Sequence, residues 1–346
     1  MGPLTRDGAL IERGARARPA PPDGAMVHPH GRALPLRVGT RGSPLALWQT
    51  RDFIALITRF CPVLRHFEAF QEEVIATTGD LVQDRPLAEI GGKGLFAKEI
   101  HEALLDRRVD FAVHSLKDLE TELPPGIVLA CTLKREDNRD ALVLGPDCAA
   151  ATEEDPWACL PRGALVGSAS VRRQAQLLHA RPDLRVEPIR GNVQTRLAQV
   201  ASGRFGSSLL ALAGLRRLGL EEKAGVVIGT DAMLPAACQG IVGVTCRDDD
   251  VELHELLSAI QDHESRAVAT AERALLGALD GSCRTPVGGH ARRLPDGRLM
   301  VEGLIARADG TFLLRRSLTG LVDEAAELGR ELGRSLWRDA PADVFG

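Results

Sequence analysis

From residue 36 onward, the chain repeats a short apolar run, a turn rich in glycine, serine or arginine, and an amphipathic helix. In the first repeat, the apolar run at 36–39 is followed by Ser43 and Pro44, which suit a helix cap and the first helical position. Similar apolar runs, each predicted to form a strand, lie at 74–76, 110–114, 164–167, 185–189 and 208–212. Strands that alternate with helices in this way predict an α/β fold with a largely parallel sheet.

The C-terminal part of the chain follows a different pattern. A helix predicted from about 264 to 279 leads into a loop at 281–284. Beyond it, Asp-Gly pairs at 296–297 and 309–310 are hairpin signals between strands, and a last helix is predicted at about 322–337. This part therefore predicts a small α+β domain.

The length of 346 residues suggests two or three domains. Residues 1–35 lack apolar periodicity, so we predict a disordered extension or a start codon placed too early. The absence of an apolar core there speaks against a secretory signal, and three acidic residues disfavour an organelle transit peptide. The predicted domains are 36–135 plus 238–260 (domain 1), 136–237 (domain 2) and 261–346 (domain 3).

Composition and charge exclude several classes of protein. The net charge of -4 gives no indication of a nucleic-acid binder, and no apolar run reaches the roughly 18 residues of a membrane span. The seven cysteines are odd in number and form no CxxC pair, which argues against a disulfide framework or a zinc knuckle and favours the cytoplasm. The nine histidines form no HExxH motif, so we expect no metal site.

Four arginines share one place in the pattern, between a predicted strand and the helix after it. They are Arg41, Arg172, Arg173 and Arg190. In open α/β sheets, ligands bind beyond the carboxyl ends of the strands, where helix N-termini favour anions. Because the guanidinium fork matches carboxylate or phosphate, the pattern predicts a cleft for a ligand with several negative charges. The alternative is that these are surface residues of an arginine-rich protein.

Lys117 and Asp118 follow another predicted strand end. A carboxylate there suits stabilisation of a developing cation or transfer of a proton, and a lysine suits a Schiff base. The alternative is an ion pair at a strand end. His114, at the end of that predicted strand, is interpreted as a core histidine.

The loop around Cys283 is a second place for chemistry. Arg284 beside it favours a thiolate, which makes Cys283 a candidate nucleophile, although a lone cysteine is often a small buried hydrophobe. Lys93 lies in a glycine-rich stretch at 91–94 that is either a phosphate cradle without full P-loop spacing or a lid or tight turn.

A set of segments, in a fixed order from residue 36 to the C-terminus, resembles the porphobilinogen deaminase family. The segments are Arg41 to Gln49, Gly91 to Phe96, Ala112 to Asp118, Arg135 to Asp140, Arg172 to Gln174, Arg190 to Leu197, Ala213 to Leu215 and the Cys283 loop. A single motif of this kind occurs by chance, whereas the ordered set is specific.

This resemblance implies a fold, a cofactor and a reaction. The fold has two α/β domains like those of periplasmic binding proteins, with a hinge, and a small C-terminal α+β domain. The cofactor is a dipyrromethane, joined by a thioether to the residue that matches Cys283. Four molecules of porphobilinogen are added head to tail, each with loss of ammonia, and water releases hydroxymethylbilane. The protein is expected to act as a monomer in the cytoplasm, with no nucleic-acid or membrane partner.

The resemblance also implies roles for individual residues. Asp118 matches the catalytic carboxylate that stabilises the azafulvene cation and handles the protons. Every pyrrole carries an acetate and a propionate, so the growing chain gathers carboxylates. The residues expected to bind cofactor or substrate are Arg41, Ser43, Gln49, Lys93, Lys117, Ser168, Ser170, Arg172, Arg173, Arg190, Gly191 and Arg196.

Four positions depart from the family's pattern. Cys238 stands where glycine is usual, Ser207-Ser208 replace Asp-Ala, and Ser168 replaces threonine but keeps the hydroxyl.

Two rival functions stay open. One is a hinged anion-binding protein without catalysis, and the other is a pyridoxal-phosphate enzyme that uses Lys117.

Overall fold

The structure, a computed structural model, describes residues 34–65, 68–81, 94–148, 152–281 and 285–345. Two of the predicted site residues, Lys93 and Cys283, lie outside the described residues, and so does nearly all of the predicted N-terminal extension.

Strands and helices are numbered in chain order. The strands are β1 (Leu36–Thr40), β2 (Phe70–Val74), β3 (Phe111–Ser115), β4 (Ile127–Thr132), β5 (Asp140–Leu144), β6 (Leu165–Gly167), β7 (Arg185–Glu187), β8 (Ser207–Ala211), β9 (Val226–Ile228), β10 (Val242–Arg247), β11 (Val287–Arg293), β12 (Leu299–Ala306) and β13 (Leu313–Gly320). The α-helices are α1 (Pro44–Phe60), α2 (Thr78–Leu81), α3 (Lys98–Leu105), α4 (Val171–Ala180), α5 (Val193–Ala201), α6 (Leu212–Arg217), α7 (Val251–Ser258), α8 (His263–Ala278) and α9 (Ala325–Asp339).

The first sheet, with its helices, forms lobe one. Its strand order is β2-β1-β3-β10-β4, in which β1 pairs parallel with β2 and β3 while β10 is antiparallel to β3 and β4. Four of its five strands therefore run in the same direction, as the prediction of a largely parallel sheet requires, and β10, which returns from the other lobe, is the exception. All residues of β10 are buried, as expected for a strand covered on both faces. In the core, the Phe53 ring of α1 packs edge-on against Phe111 at 5.6 Å.

Lobe two has the same topology. Its strand order is β7-β6-β8-β5-β9, with β6 parallel to β7 and β8, and β5 antiparallel to β8 and β9. The chain leaves lobe one between β4 and β5 and returns between β9 and β10. Two crossings therefore connect the lobes, which is the arrangement of a hinge.

The C-terminal unit is an antiparallel sheet, β11-β12-β13, with α8 and α9 packed against it. Gly297 and Gly310 occupy the left-handed region (φ 87° and 78°) in the turns between the strands, so the two Asp-Gly hairpin signals are confirmed. Two α/β lobes and a small C-terminal α+β unit confirm the predicted fold class.

The C-terminal unit contacts both lobes. From α8, Arg266 donates to the carbonyl of Leu129 in lobe one at 3.0 Å. On the other side, His179 of α4 in lobe two bonds through Nδ1 with the carbonyl of Gly310 at 2.9 Å. Across the described part of the chain, no helix combines the length and the apolar character that a membrane crossing requires.

Candidate active site

A cleft of about 620 Å³ opens between the two lobes at the carboxyl ends of their strands. Except for Ser168, every predicted site residue that the structure describes lines it. These residues are Arg41, Ser43, Gln49, Lys117, Asp118, Ser170, Arg172, Arg173, Arg190, Gly191 and Arg196. The C-terminal unit contributes Leu276, Thr285 and Val287 to the same wall. The residues that the sequence pattern singled out therefore lie together in one cleft, at the carboxyl edges of both sheets.

Three helices point their N-termini into this cleft, each capped by a side chain. Ser43 Oγ accepts from the backbone N of Ala46 at 3.2 Å at the start of α1, and Pro44 occupies the first turn as predicted. Ser170 caps α4, and Asn192 caps α5. The uncompensated N–H groups of these first turns favour anionic ligands.

Arg41 is held by three groups of lobe one. Its Nε and Nη2 donate to the two oxygens of Asp80, and its guanidinium lies 4.2 Å from the centre of the Phe96 ring. Burial alone lowers the pKa of Arg41, but the hydrogen bond to Asp80 and the charge of Asp118 raise it above its usual value. Nη1, at 3.9 Å from Asp118 Oδ2, is the part of the fork that remains directed towards Asp118.

Arg172 and Arg173 share a buried carboxylate that the sequence analysis did not recognise. Asp140 is fully buried and accepts from Arg172 Nη2 at 2.8 Å and from Arg173 Nη2 at 2.7 Å. Both arginines also bond to backbone carbonyls, of Leu234 and Leu209. Burial alone raises the pKa of Asp140, yet the two guanidinium charges hold it well below its usual range. Much of the donor capacity of this pair is therefore used inside the protein.

Arg196 belongs to a cluster of cations on lobe two. Its Nε donates to the carbonyl of Gly191 at 3.0 Å. Burial, together with the charges of Arg173 and Arg190, lowers the pKa of Arg196 to about 10. Gly191 has a φ of 97°, and a Cβ there would lie 2.8 Å from Thr195, so only glycine fits. Like charges that lower one another's pKa in a cleft are complementary to an anionic ligand.

Lys117 and Asp118 lie in a single 3₁₀ turn directly after β3. Lys117 Nζ donates to Gln239 Oε1 at 3.1 Å, and burial lowers the pKa of Lys117 to about 8. The Asp118 side chain keeps 33% of its surface exposed towards the cleft. Nearby, Gln49 Nε2 and Ser115 Oγ bond at 3.0 Å. The structure thus brings a carboxylate that a ligand can reach together with cations from both lobes.

Ser168 has a local role. Its Oγ accepts from the backbone N of Ser170 at 3.2 Å, so it shapes the turn in front of α4. Asp80, Asp140 and Gln239 are the polar cleft-side groups that sequence reasoning missed. Each acts on a residue that is distant in the sequence, and no local motif marks such a partner.

His114 makes the fold sensitive to acid. It is buried, and its Nε2 lies 2.9 Å from Thr245 Oγ1. Burial, together with the charges of His101 and Arg41, lowers its pKa to about 3. Between pH 6.5 and 3 the unfolded chain binds a proton at this position and the folded chain does not. The free energy of unfolding therefore decreases as the pH is lowered from 6.5 to 3, by up to roughly 1.4 kcal/mol per pH unit from this group.

We expect His114→Gln to reduce this slope in urea unfolding measured from pH 7 to pH 4. The exposed His263 provides the matched control, since His263→Gln is expected to leave the slope unchanged. An identical slope for His114→Gln and the parent would mean that His114 is not the residue responsible.

The chain is similar to porphobilinogen deaminases along most of its length. Residues 36–255 match the family model described as "Porphobilinogen deaminase, dipyromethane cofactor binding domain", and residues 266–338 match "Porphobilinogen deaminase, C-terminal domain". Porphobilinogen deaminase of Paracoccus denitrificans is 48% identical over 314 residues, which cover 90% of this chain and 96% of that protein. The chloroplastic porphobilinogen deaminase of Oryza sativa subsp. japonica is 45% identical over 312 residues, covering 90% of this chain and 85% of that protein.

Among solved structures, an arginine transport system periplasmic binding protein from Legionella pneumophila is similar with a TM-score of 0.37 and 16% identity. The match covers 66% of this chain and 92% of that one. The periplasmic VFT2 domain of Bordetella pertussis BvgS also has a TM-score of 0.37, at 14% identity, over 68% of this chain and 92% of that domain.

Proposed function

Since this chain belongs to the porphobilinogen deaminase family, we propose that it condenses four molecules of porphobilinogen head to tail and hydrolyses the product to hydroxymethylbilane. It is then a transferase of tetrapyrrole biosynthesis, which leads to haem, chlorophyll and cobalamin. The observation that carries this proposal is the cleft, in which the carboxylate of Asp118 lies among arginines of both lobes. The second described carboxylate of the lining, Asp80, is bonded through both oxygens to Arg41.

Recognition of the substrate rests on charge. Porphobilinogen carries an acetate and a propionate, and arginine binds carboxylates with two parallel hydrogen bonds. Arg196 and Arg190 of lobe two and Arg41 of lobe one lie in the walls of the cleft. The depressed pKa of Arg196 is returned towards its usual value when a carboxylate binds beside it, so binding of the anion and protonation of the arginine support each other.

The cleft fits a dipyrromethane cofactor because its described lining combines these cations with the apolar side chains of Leu276 and Val287. We propose that Cys283 holds the group by a thioether. Thr285, two residues further along the chain, lines the cleft. Arg172, Arg173 and Lys117 would hold its carboxylates. When bound, the cofactor supplies the pyrrole to which substrate is joined.

Asp118 is proposed to act on the substrate. Loss of ammonia from porphobilinogen leaves a cation, and a carboxylate in a cleft stabilises such a charge more strongly than water does. The same oxygen accepts the proton that is released when the new carbon–carbon bond forms. Arg41 Nη1 lies 3.9 Å from Asp118 Oδ2, and Asp80 holds Arg41 in place.

Three further proposals concern the whole chain. The domain boundaries are those given by the sequence, with 36–135 plus 238–260 as domain 1, 136–237 as domain 2 and 261–346 as domain 3. The protein is proposed to act as a monomer. Its location is proposed to be the cytoplasm, from the odd number of cysteines and the lack of a CxxC pair.

The test is intact mass spectrometry of the purified protein, followed by peptide mapping. We expect the mass of a dipyrromethane on the peptide that contains Cys283, and we expect Cys283→Ser to lack it. Cys61→Ser is the matched control, since this half-buried cysteine lies outside the cleft lining and its loss should leave the adduct in place.

An adduct that persists in Cys283→Ser would remove this cysteine from the proposal. A parent chain that stays unmodified after incubation with porphobilinogen would instead favour the hinged anion-binding protein.

A further inference from the structure

Gln239 lies where the two lobes, the two crossings and the cleft meet. It follows β9 on the return crossing, and only 1% of its surface is exposed. Its Oε1 accepts from Lys117 Nζ at 3.1 Å, and its Nε2 donates at 2.8 Å both to the carbonyl of Asn138 and to Asp140 Oδ1. Asn138 belongs to the outward crossing, and Asp140 is the first residue of β5, where that crossing ends. One side chain thus connects both crossings with the cleft lysine.

The chemistry of these partners fixes the orientation of the amide. An ammonium group only donates hydrogen bonds, and a carboxylate and a backbone carbonyl only accept them. The oxygen of Gln239 must therefore face Lys117, and its nitrogen must face Asn138 and Asp140. With two donors and one acceptor engaged, the side chain has a single arrangement that satisfies every partner.

We propose that Gln239 is a positioning residue that sets the place and the charge of the Lys117 ammonium at the floor of the cleft. This inference rests on the proposed function, in which Lys117 binds a pyrrole carboxylate. Gln239 also borders the cleft, but it is almost fully buried and its polar atoms are bonded to Lys117, Asn138 and Asp140, so it acts through the lysine.

Other charges around Lys117 cannot replace this contact. Asp118 and Asp140 favour its charged form, whereas Arg172 and Arg173 oppose it. Because Asp140 is already bonded to both arginines, its charge is largely compensated. Burial then dominates and lowers the pKa of Lys117. A neutral acceptor at hydrogen-bond distance keeps the ammonium in place without adding a charge.

Two substitutions separate the two halves of the amide. Gln239→Leu removes both the acceptor for Lys117 and the donor for Asp140. Gln239→Glu keeps an acceptor for Lys117 and removes only the donor. A positioning role predicts that the pKa of Lys117 falls in Gln239→Leu and stays level or rises in Gln239→Glu.

The pKa of Lys117 can be measured by reductive ¹³C-methylation and NMR titration of the cofactor-loaded protein. The chain holds few lysines, so the resonance is assignable from the spectrum of Lys117→Arg. An unchanged Lys117 pKa in both Gln239 variants would overturn the proposal. If Gln239→Leu does not fold, a lowered pKa in Gln239→Glu would overturn it equally.

Kinetics supply the second readout. We expect Gln239→Leu to lower kcat/KM for porphobilinogen by about tenfold to a hundredfold, the usual range for a hydrogen bond to a charged group. In a Lys117→Met background the same change should cost little, because the group that Gln239 positions is gone. Losses that multiply fully in the double variant would show that Gln239 acts independently of Lys117.

The two readouts also separate this inference from the proposed function. A parent protein that consumes no porphobilinogen would contradict the function, while the titration would still test Gln239. Normal turnover of the parent together with an unchanged Lys117 pKa in both variants would contradict the inference alone.

Discussion

Asp118→Asn is expected to keep the fold and nearly abolish turnover of porphobilinogen. The amide has the shape of the carboxylate but carries no charge to stabilise the cation and accepts no proton. Loss of a positioned acid–base group alone costs about a hundredfold to ten-thousandfold in rate. Because the side chain is one-third exposed and its ion pair with Arg41 spans 3.9 Å, the change in folding stability should stay within about 1 kcal/mol.

The measurement compares porphobilinogen consumption with the urea unfolding midpoint and the intact mass. Glu122→Gln is the control, since this exposed carboxylate lies four residues further along the chain and outside the cleft lining. Turnover of Asp118→Asn at the level of Glu122→Gln would remove Asp118 from the mechanism.

The sequence predicted which residues would line the cleft between the lobes because the signals that place them are local. Ser43 and Pro44 mark the start of α1 regardless of what packs around it, and the structure shows both in those positions. Arg41 and Arg190 follow strands whose direction is set by the βαβ alternation, so their placement at one edge could be predicted from their order alone.

The strand at the edge of the first sheet (β2) and the strand that returns from lobe two (β10) were harder to predict. The strand predicted at 74–76 lies at Phe70–Val74, where Glu72 and Glu73 break the apolar pattern. An edge strand has one side open to solvent, so it tolerates such residues and loses the hydrophobic signal. The direction of β10 was equally hidden, since its buried apolar run reads the same for either direction.

Hydrogen bonds between side chains that are distant in the sequence could not be predicted from it. Asp140 reaches Arg172 and Arg173 only because β5 lies beside β8 while α4 follows β6. Before that topology is known, Asp140 is only the last residue of the segment from Arg135 to Asp140, and no local motif marks its partners. The same holds for Gln239, which meets Asp140 across 99 positions of the chain.

The structure accommodates the departures from the family's pattern, but two of them, Cys238 and Ser207, reduce folding stability. Cys238, where glycine is usual, adopts a φ of 62°, a region that costs a residue with a Cβ about 1 kcal/mol or more. Its backbone N donates to the buried carboxylate of Glu272, which also pairs with Arg135. Of the two serines, Ser208 Oγ donates to the carbonyl of Gly167 at 2.8 Å, whereas the buried Ser207 Oγ has no hydrogen-bond partner among the residues that the structure describes.

The largest loss of stability is expected for Asp140→Asn. The substitution leaves two buried guanidinium groups facing a neutral amide whose nitrogen cannot accept from either. Removing one partner of a buried ion pair destabilises a protein by about 3–5 kcal/mol, because the remaining charge has lost its compensation. We expect this loss in urea unfolding at pH 7. Asp296→Asn is the matched control, because its pair with Arg298 has the same 2.8 Å distance but is half exposed, so about 1 kcal/mol or less is expected there.

The pH dependence checks the cause. The folded-state pKa of Asp140 lies below its unfolded value, so its contribution is fully present above about pH 4 and is lost as the pH falls further. Asp140→Asn lacks this contribution at every pH, and its difference from the parent should therefore shrink below pH 4. A difference that stays constant down to pH 3, or equal losses for Asp140→Asn and Asp296→Asn at pH 7, would show that charge compensation by Asp140 does not hold lobe two together.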